Sequence, residues 1–288
     1  MPLAAVRRFN RTVTQRVGAL DDSYLARDRP LGECRLLWEI GDGCDVRDLR
    51  ARLELDSGYL SRLLGRLQAD GLVEVRPGAA DRRVRTARLT AAGRRERAVL
   101  DRRSDELAAS LLAPLSDRRR ERLVAAMAEV ERLLTASLVR IETVDPDDPR
   151  ARDCLARYMA EIDARFAAGF DPARSLPAEG EAFRAPAGAM LLATLHGEPV
   201  GCGAIKLDWG APPYIKRMWV APSARGLGLG RRLLGELEAR AAATGAPVVQ
   251  LETNAALGEA IALYRSAGYR EVAPFNAEPY AHHWFEKA

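Results

Sequence analysis

Residues 214–234 read YIKRMWVAPSARGLGLGRRLL. A β-branched and aromatic run, YIKRMWV, is followed by three glycines alternating with leucines, and then by a helical pattern. A strand that turns through glycines into a helix offers unpaired backbone N–H groups at the positive end of the helix dipole. Such a turn favours an anion, phosphate above all. The stretch points to an α/β unit with a phosphate site at the end of a strand.

Register decides among the phosphate motifs. A P-loop needs GxxxxGK[ST], and no Lys-Ser or Lys-Thr follows these glycines. A dinucleotide fingerprint needs GxGxxG. Counted from Gly226 its third place falls on Arg231, and from Gly228 on Leu233. No acidic residue stands about 20 positions on to meet a ribose. The pattern that fits is [RQ]-x-x-G-x-[GA], as Arg225, Gly228 and Gly230. A plain glycine-rich turn is the competing reading.

The grammar of the chain changes once. Residues 3–140 are mostly helical in pattern, with a long segment over 3–27 and a short one at 31–41. DVRDLRARLELDSGYLSRLLGRLQADGL then reads as helix, turn, helix. Asp45 is placed to cap the first of the pair, and Asp56 or Ser57 the second. Leu60, Leu63, Leu64 and Leu67 share one helical face, and Gly71 is placed to end the helix left-handed. VEVRPGAADRRVRTARLT is strand, Pro-Gly turn and strand. Helical patterns over 91–113 and 116–140 follow, with leucine and alanine stripes suited to a partner helix. Past 140, DPDDPR is a turn, a helix runs to about 168, and a Pro/Gly-rich loop covers 169–188. AMLLATLH, PVGCGAIKLD, YIKRMWVAP and PVVQLET are strand-like, with helical patterns at 228–244 and 256–267. The boundary is expected at 138–145, giving domains 1–140 and 141–288.

Charge separates the same halves. Residues 1–140 hold 28 Arg and no Lys against 21 acids, net +7, whereas 141–288 are net −3. A basic half beside an acidic one suggests that only the first meets a polyanion. Arginine in place of lysine almost everywhere is also what a GC-rich genome produces, so charge alone leaves the matter even. No run of 18 apolar residues predicts a membrane span, and the N-terminus lacks a signal-peptide pattern. Cys34, Cys44, Cys154 and Cys202 show no CxxC spacing. They read as reduced thiols of a cytoplasmic protein, with no metal site expected.

The helix-turn-helix and basic hairpin have a direct use. A second helix of this kind enters the major groove, and its residues off the apolar stripe meet bases and phosphates. Those residues are Ser57, Tyr59, Ser61, Arg62 and Arg66. The hairpin tip adds Arg82, Arg83 and Arg85, positioned for an adjacent groove or backbone. SGYLSRLLGRLQADGLVEVRPGAADRRVRTARLTAAG resembles the MarR family of winged helix-turn-helix regulators. The resemblance lies in Asp81, Arg83, Leu89, Thr90 and Gly93 and spans about residues 1–140. It implies a DNA-binding homodimer joined through the first and last two helices, on a pseudopalindromic operator, with Asp81 steadying the wing arginine. A winged helix kept only for protein contacts is the alternative.

The second half resembles the GNAT superfamily of acyl-CoA N-acyltransferases. YIKRMWVAPSARGLGLGRRLL matches its fourth strand, pyrophosphate loop and helix, and VVQLETN its fifth strand. EAIALYRSAGYREV and HHWFEK match the elements that follow. The resemblance implies a mixed α/β sheet whose two central strands splay to admit pantetheine, with acetyl-CoA as acyl donor. Met218 and Val220 are then the pantetheine contacts through main chain, and Arg225, Gly226, Gly228, Gly230 and Arg231 the pyrophosphate contacts. Solvated surface is an equal reading for Arg231. Tyr264 corresponds to the family's general acid, with a core tyrosine as the rival reading. Glu252 is the candidate base, with substrate binding or an exposed face of the sheet as alternatives. Many members carry Asn where this chain has Leu257; Asn254 is a candidate cofactor contact in its stead. His282 and His283 alternate in the last strand, and ordinary packing is favoured over catalysis.

The expected whole is multidomain: a mainly helical winged helix-turn-helix followed by a mixed-sheet acetyltransferase. Direct transfer to an amine is expected, with a small molecule favoured over a protein lysine. A transcription factor whose second domain only senses acyl-CoA or an amine is the rival.

Overall fold

The computed structural model describes residues 2–78, 84–175, 180–207 and 211–288. They form two compact units, Met1–Ala126 and Met127–Ala288, divided within a helix. None of the described helices is long and apolar enough to cross a membrane.

The first unit begins with α1 (Pro2–Arg16). The sequence pattern predicts a helix to 27; the chain leaves it earlier, at Gly18. There φ is +68°, Ala19 N–H donates to Thr14 O at 3.0 Å, and Gly18 N–H to Gln15 O at 3.3 Å. These two bonds satisfy the last carbonyls and close the helix. Then come α2 (Leu31–Ile40), β1 (Cys44–Asp45), α3 (Val46–Leu53) and α4 (Ser57–Ala69). Asp56 caps α4, its carboxylate accepting from Tyr59 N–H at 2.8 Å. Asp45 holds the corresponding position before α3, but its carboxylate instead accepts from Thr86 Oγ1 at 3.2 Å. The predicted leucine stripe of α4 is buried, and Gly71 ends the helix with φ +67°.

β2 (Val73–Pro77) and β3 (Arg85–Leu89) pair antiparallel, and β1 adds to the far side of β3. Two residues are too few for β1 to show any periodicity. α5 (Ala91–Leu112) opens at Thr90, whose hydroxyl accepts from Gly93 N–H at 3.0 Å. A Cβ at Gly93 would lie 2.0 Å from Leu72 O, so the chain runs too close there for any side chain. Arg27 reaches Glu96 of α5 with two bonds, 2.9 and 2.7 Å. α6 (Asp117–Leu138) follows.

The second unit is a seven-stranded sheet. Its strands are β4 (Arg140–Val144), β5 (Gly188–Leu195), β6 (Glu198–Lys206), β7 (Tyr214–Val220), β8 (Val249–Thr253), β9 (Arg270–Val272) and β10 (His283–Lys287). Their order is β4-β5-β6-β7-β8-β10-β9. β4 was not expected: RIETV lacks a clean alternation, and the pairing is supplied by β5. α7 (Pro149–Arg165) and α8 (Leu229–Ala242) both pack on β6, and α9 (Gly258–Ser266) completes the helices. β5 and β6 are buried along nearly their whole length, which explains their unbroken apolar runs.

Two irregularities shape the centre. β7 and β8 run parallel, yet pair only at Tyr214↔Gln250 and Ile215↔Leu251. Beyond Ile215 the strands part, leaving the edge of β7 from Lys216 to Val220 without a β8 partner. On its other side β7 slips register against β6 between Cys202 and Ala204. Opposite that slip Arg217 takes φ +59°, a left-handed conformation unusual for a side-chain-bearing residue.

Candidate functional site

Where β7 and β8 part, two cavities open side by side. The larger, about 560 Å³, is bounded by α7, the end of β7, the glycine turn and α9. The smaller, about 90 Å³, lies towards β8 and the 275–281 loop. Tyr158, Ile162, Met218, Leu257, Ala260 and Tyr264 line both, so the two share a wall.

The larger cavity has the dimensions of a small-molecule site. Met218, Val220, Arg225, Gly226, Gly228, Gly230 and Arg231 all line it. Gly226 has φ +81° and Gly228 φ +73°, conformations that favour glycine. Gly228 also caps α8, and the first recorded bond there runs from Arg232 N–H to Gly228 O. The N–H groups of Leu229, Gly230 and Arg231 stand in the first turn, where a helix has no acceptor of its own.

The two arginines of the loop are engaged elsewhere. Arg225 sets one nitrogen 2.6 Å from both oxygens of Glu161 and donates from Nε to Val220 O. Burial pushes the Glu161 carboxyl up, but hydrogen bonds from Arg225, Trp219 and Arg165 outweigh it and hold the group below its ordinary range. Arg231 folds onto Ser266 at the end of α9. Glu161 and Arg165 also line this cavity and were not singled out in the sequence. Arg165 ties α7 to α9 through Glu259, at 2.7 Å.

The smaller cavity has a charged end and an aromatic side. The side chains of Lys216, Glu252 and Glu278 are 8%, 8% and 6% exposed. Lys216 Nζ lies 3.6 Å from Glu252 and 3.4 Å from Glu278. Burial lowers the Lys216 ammonium from its ordinary value. Burial, and next the charge of Glu278, push Glu252 up to about 8. Tyr214 donates its hydroxyl to Glu252 and accepts from Asn276 Nδ2 at 3.0 Å. Ser175 Oγ donates to Glu278 at 2.9 Å. Opposite them Phe166, Phe170 and Tyr280 cluster with ring centres 4.9–6.0 Å apart.

Tyr264 is buried, and burial, with the charges of Tyr158 and Glu252, drives its phenol well above the ordinary range. Asn254 lines only the smaller cavity. Its amide is used locally, donating to Tyr280 O at 2.7 Å and accepting from Ala256 N–H at 2.9 Å. Neither histidine lines either cavity: His282 accepts from Ala255 N–H, and His283 pairs with Glu271 at 2.6 Å.

In the first unit, Ser57, Tyr59, Ser61, Arg62 and Arg66 are all exposed on α4. A groove of about 450 Å³ runs between the starts of α3 and α4 and the base of the hairpin. Ser57, Ser61 and Arg85 line it, joined by Arg47 and Arg50 of α3, which the sequence reading passed over. Arg62 lies over the Tyr59 ring at 5.7 Å. Arg66 turns back to Glu33 of α2, at 3.4 Å. Asp81, Arg82 and Arg83 lie outside the described residues.

Comparison with known proteins agrees with this division. Residues 155–269 match the acetyltransferase (GNAT) family, and residues 30–84 match the MarR family. An IAA acetyltransferase of Azospirillum brasilense is 37% identical over 126 residues, 43% of this chain and 82% of that protein. Among solved structures, a GNAT-family acetyltransferase of Staphylococcus aureus is 17% identical, with TM-score 0.44 over 52% of this chain and 98% of the other. Wild-type MarR of E. coli, in its apo form, is 22% identical, with TM-score 0.39 over 43% of this chain and 93% of its own. The chain belongs to the GNAT acetyltransferase family, and carries ahead of that domain a MarR-family winged helix.

Proposed function

We propose that the second unit transfers an acetyl group from acetyl-CoA to a small-molecule amine, and that the first is a dimeric DNA-binding regulator. The observation that carries the transferase reading is the shared wall of the two cavities. Tyr264 lines both, the glycine turn faces one, and Glu252 is buried in the other.

In this reading the pyrophosphate sits on the N–H groups of Leu229, Gly230 and Arg231, with Gly226 and Gly228 letting it approach. Pantetheine lies along the free edge of β7 at Met218–Val220. Arg225, held by Glu161, steadies the loop rather than meeting phosphate. Glu252 takes a proton from the ammonium of the acceptor, and the neutral nitrogen attacks the thioester carbonyl. The C–N bond forms, the C–S bond breaks, the leaving sulfur takes the Tyr264 proton, and the second proton of the acylated nitrogen restores the Tyr264 phenol, while Glu252 releases the first to solvent. An alkylammonium and a thioester become an amide, a thiol and one free proton.

The DNA reading rests on the groove with Arg47, Arg50 and Arg85 beside Ser57 and Ser61. The dimer reading rests on apolar residues left bare on two helices. On α1 these are Leu3, Val6, Phe9 and Val13, and on α6 Val124, Met127, Leu133, Leu134 and Leu138.

Free-thiol release from acetyl-CoA with an amine panel tests the transferase. Turnover above background supports it. Binding of acetyl-CoA without turnover, combined with ligand-dependent release of DNA, replaces it with a sensor. Salt-sensitive DNA retention by a species of dimer mass tests the regulator.

A further inference from the structure

The smaller cavity contains four charged side chains, and three of them answer one another. Lys216 sits between Glu252 and Glu278. The fourth, Arg217, also lines the cavity, and among the described residues no carboxylate pairs with it. Its one recorded side-chain contact is Nη1 to the sulfur of Met159, at 3.4 Å. A guanidinium carries five N–H donors in a planar fork that matches a carboxylate, and a thioether is a weak acceptor. Arg217 is half-buried, and holds φ +59° at the slip between β6 and β7. That backbone is strained for a residue with a Cβ.

We propose that Arg217 is the anchor for a carboxylate on the acceptor, so that the acceptor is an amino acid. Its ammonium faces Glu252 and Glu278, its carboxylate takes the open fork of Arg217, and an apolar side chain rests on Phe166, Phe170 and Tyr280. This rests on the transferase reading given above. The cavity's volume, about 90 Å³, is below the ~150 Å³ that admits a benzene ring, so it suits the head group, with the remainder of the acceptor outside it. The half-buried aromatic cluster provides the apolar surface for the remainder. With the acceptor in place and Glu252 ionised, each carboxylate of the cavity has a cation and each cation a carboxylate, as buried charges require.

The test compares matched acceptors that differ only in the carboxylate: glycine, alanine, leucine and phenylalanine against methylamine, ethylamine, 3-methylbutylamine and phenethylamine. Calorimetry with acetyl-CoA is run first. The full-length protein is expected to prefer the carboxylated member of the best pair by about ten- to a hundredfold in kcat/KM, the range for loss of a charge-assisted bond. Arg217→Asn removes the guanidinium, and asparagine tolerates a left-handed backbone better than most residues, so the fold is kept. It is expected to erase the preference while leaving the decarboxylated amine and acetyl-CoA affinity unchanged. Equal or better use of the decarboxylated amines overturns the proposal, as does a parallel loss on both members in Arg217→Asn. Binding of acetyl-CoA with no transfer to any amino acid overturns it too. Failure to bind acetyl-CoA instead removes the transferase reading on which it stands.

Discussion

Tyr269 N–H donates to the carbonyl of Tyr264 at 3.1 Å, and their rings stand 5.9 Å apart. Between them Gly268 takes φ +92° and donates to Arg265 O at 3.1 Å. The candidate acid thus lies in the last turn of α9, inside the motif that ends the helix, and its partner ring seals that motif. Gly268→Ala should lower stability by about 1–2 kcal/mol through its backbone conformation, and lower kcat with it by loosening Tyr264. Tyr264→Phe should keep the melting temperature and the KM for acetyl-CoA while lowering kcat by about 10²–10⁴. Thermal melts beside steady-state kinetics separate the two. A Tyr264→Phe protein with full kcat would remove the tyrosine from the chemistry.

Glu252 predicts a pH dependence whose sign is fixed by the direction of its shift. Burial and Glu278 raise it to about 8, against an ordinary value of 4.5, while Asn276 and Lys206 pull the other way. Tyr214 and Lys216 also face it. Below pH 8 the carboxyl is mostly protonated and cannot accept a proton. Therefore kcat/KM should climb with pH and level off above about 8. Glu252→Gln should lower the rate and flatten that limb. Stability runs in the opposite sense. The folded protein holds a proton that the unfolded chain releases near its ordinary value, so this contribution is present below that value and is lost as pH rises through 8. Melts of both proteins across this range should show the wild type losing stability relative to Glu252→Gln. An unchanged rate profile in the variant would discard Glu252 as the base.

The parts of this molecule that were legible from sequence are those whose information is local. The leucine stripe of α4, the turn at Gly71 and the glycine turn that opens α8 need only helix periodicity and glycine backbone freedom. The parts that were not legible depend on partners far along the chain. Arg225 reads from the sequence as open to phosphate, and its pairing with Glu161, 64 positions earlier, is visible only in the fold. Arg66 reads from the sequence as open to DNA, and its contact with Glu33, 33 positions earlier, is likewise visible only in the fold. β1 and β4 exist because β3 and β5 lend them hydrogen bonds. Glu278 and Lys216 reach Glu252's cavity from a loop and from the parted edge of β7, and no spacing in the chain announces either.

The glycine turn makes its own prediction. A Cβ at Gly228 meets nothing within 4 Å, so replacement brings no clash, only the cost of φ +73°. Gly228→Ala should therefore leave packing intact but move the loop away from its left-handed conformation, at about 1–2 kcal/mol. The loss should appear as roughly a tenfold weaker acetyl-CoA affinity, with kcat at saturation little changed. Calorimetry with acetyl-CoA measures it. Unaltered affinity would mean that the pyrophosphate does not rest on this turn.

α4 offers a sharper contrast, because two of its arginines look alike in sequence and differ in space. Arg62 is exposed and leans on Tyr59, whereas Arg66 is drawn to Glu33. A protein that neutralises phosphates loses DNA affinity with salt, and each contact removed lowers the slope of log K against log[salt] by about 1. Arg62→Ala should reduce that slope by about one unit, Arg47→Ala and Arg85→Ala by similar amounts, and Arg66→Ala by much less. Anisotropy titrations of a labelled duplex at four or five salt concentrations give the slopes directly. If Arg66→Ala reduced the slope as much as Arg62→Ala, the bond to Glu33 would have to open on DNA, and the face proposed for phosphate contact would extend a further turn along α4.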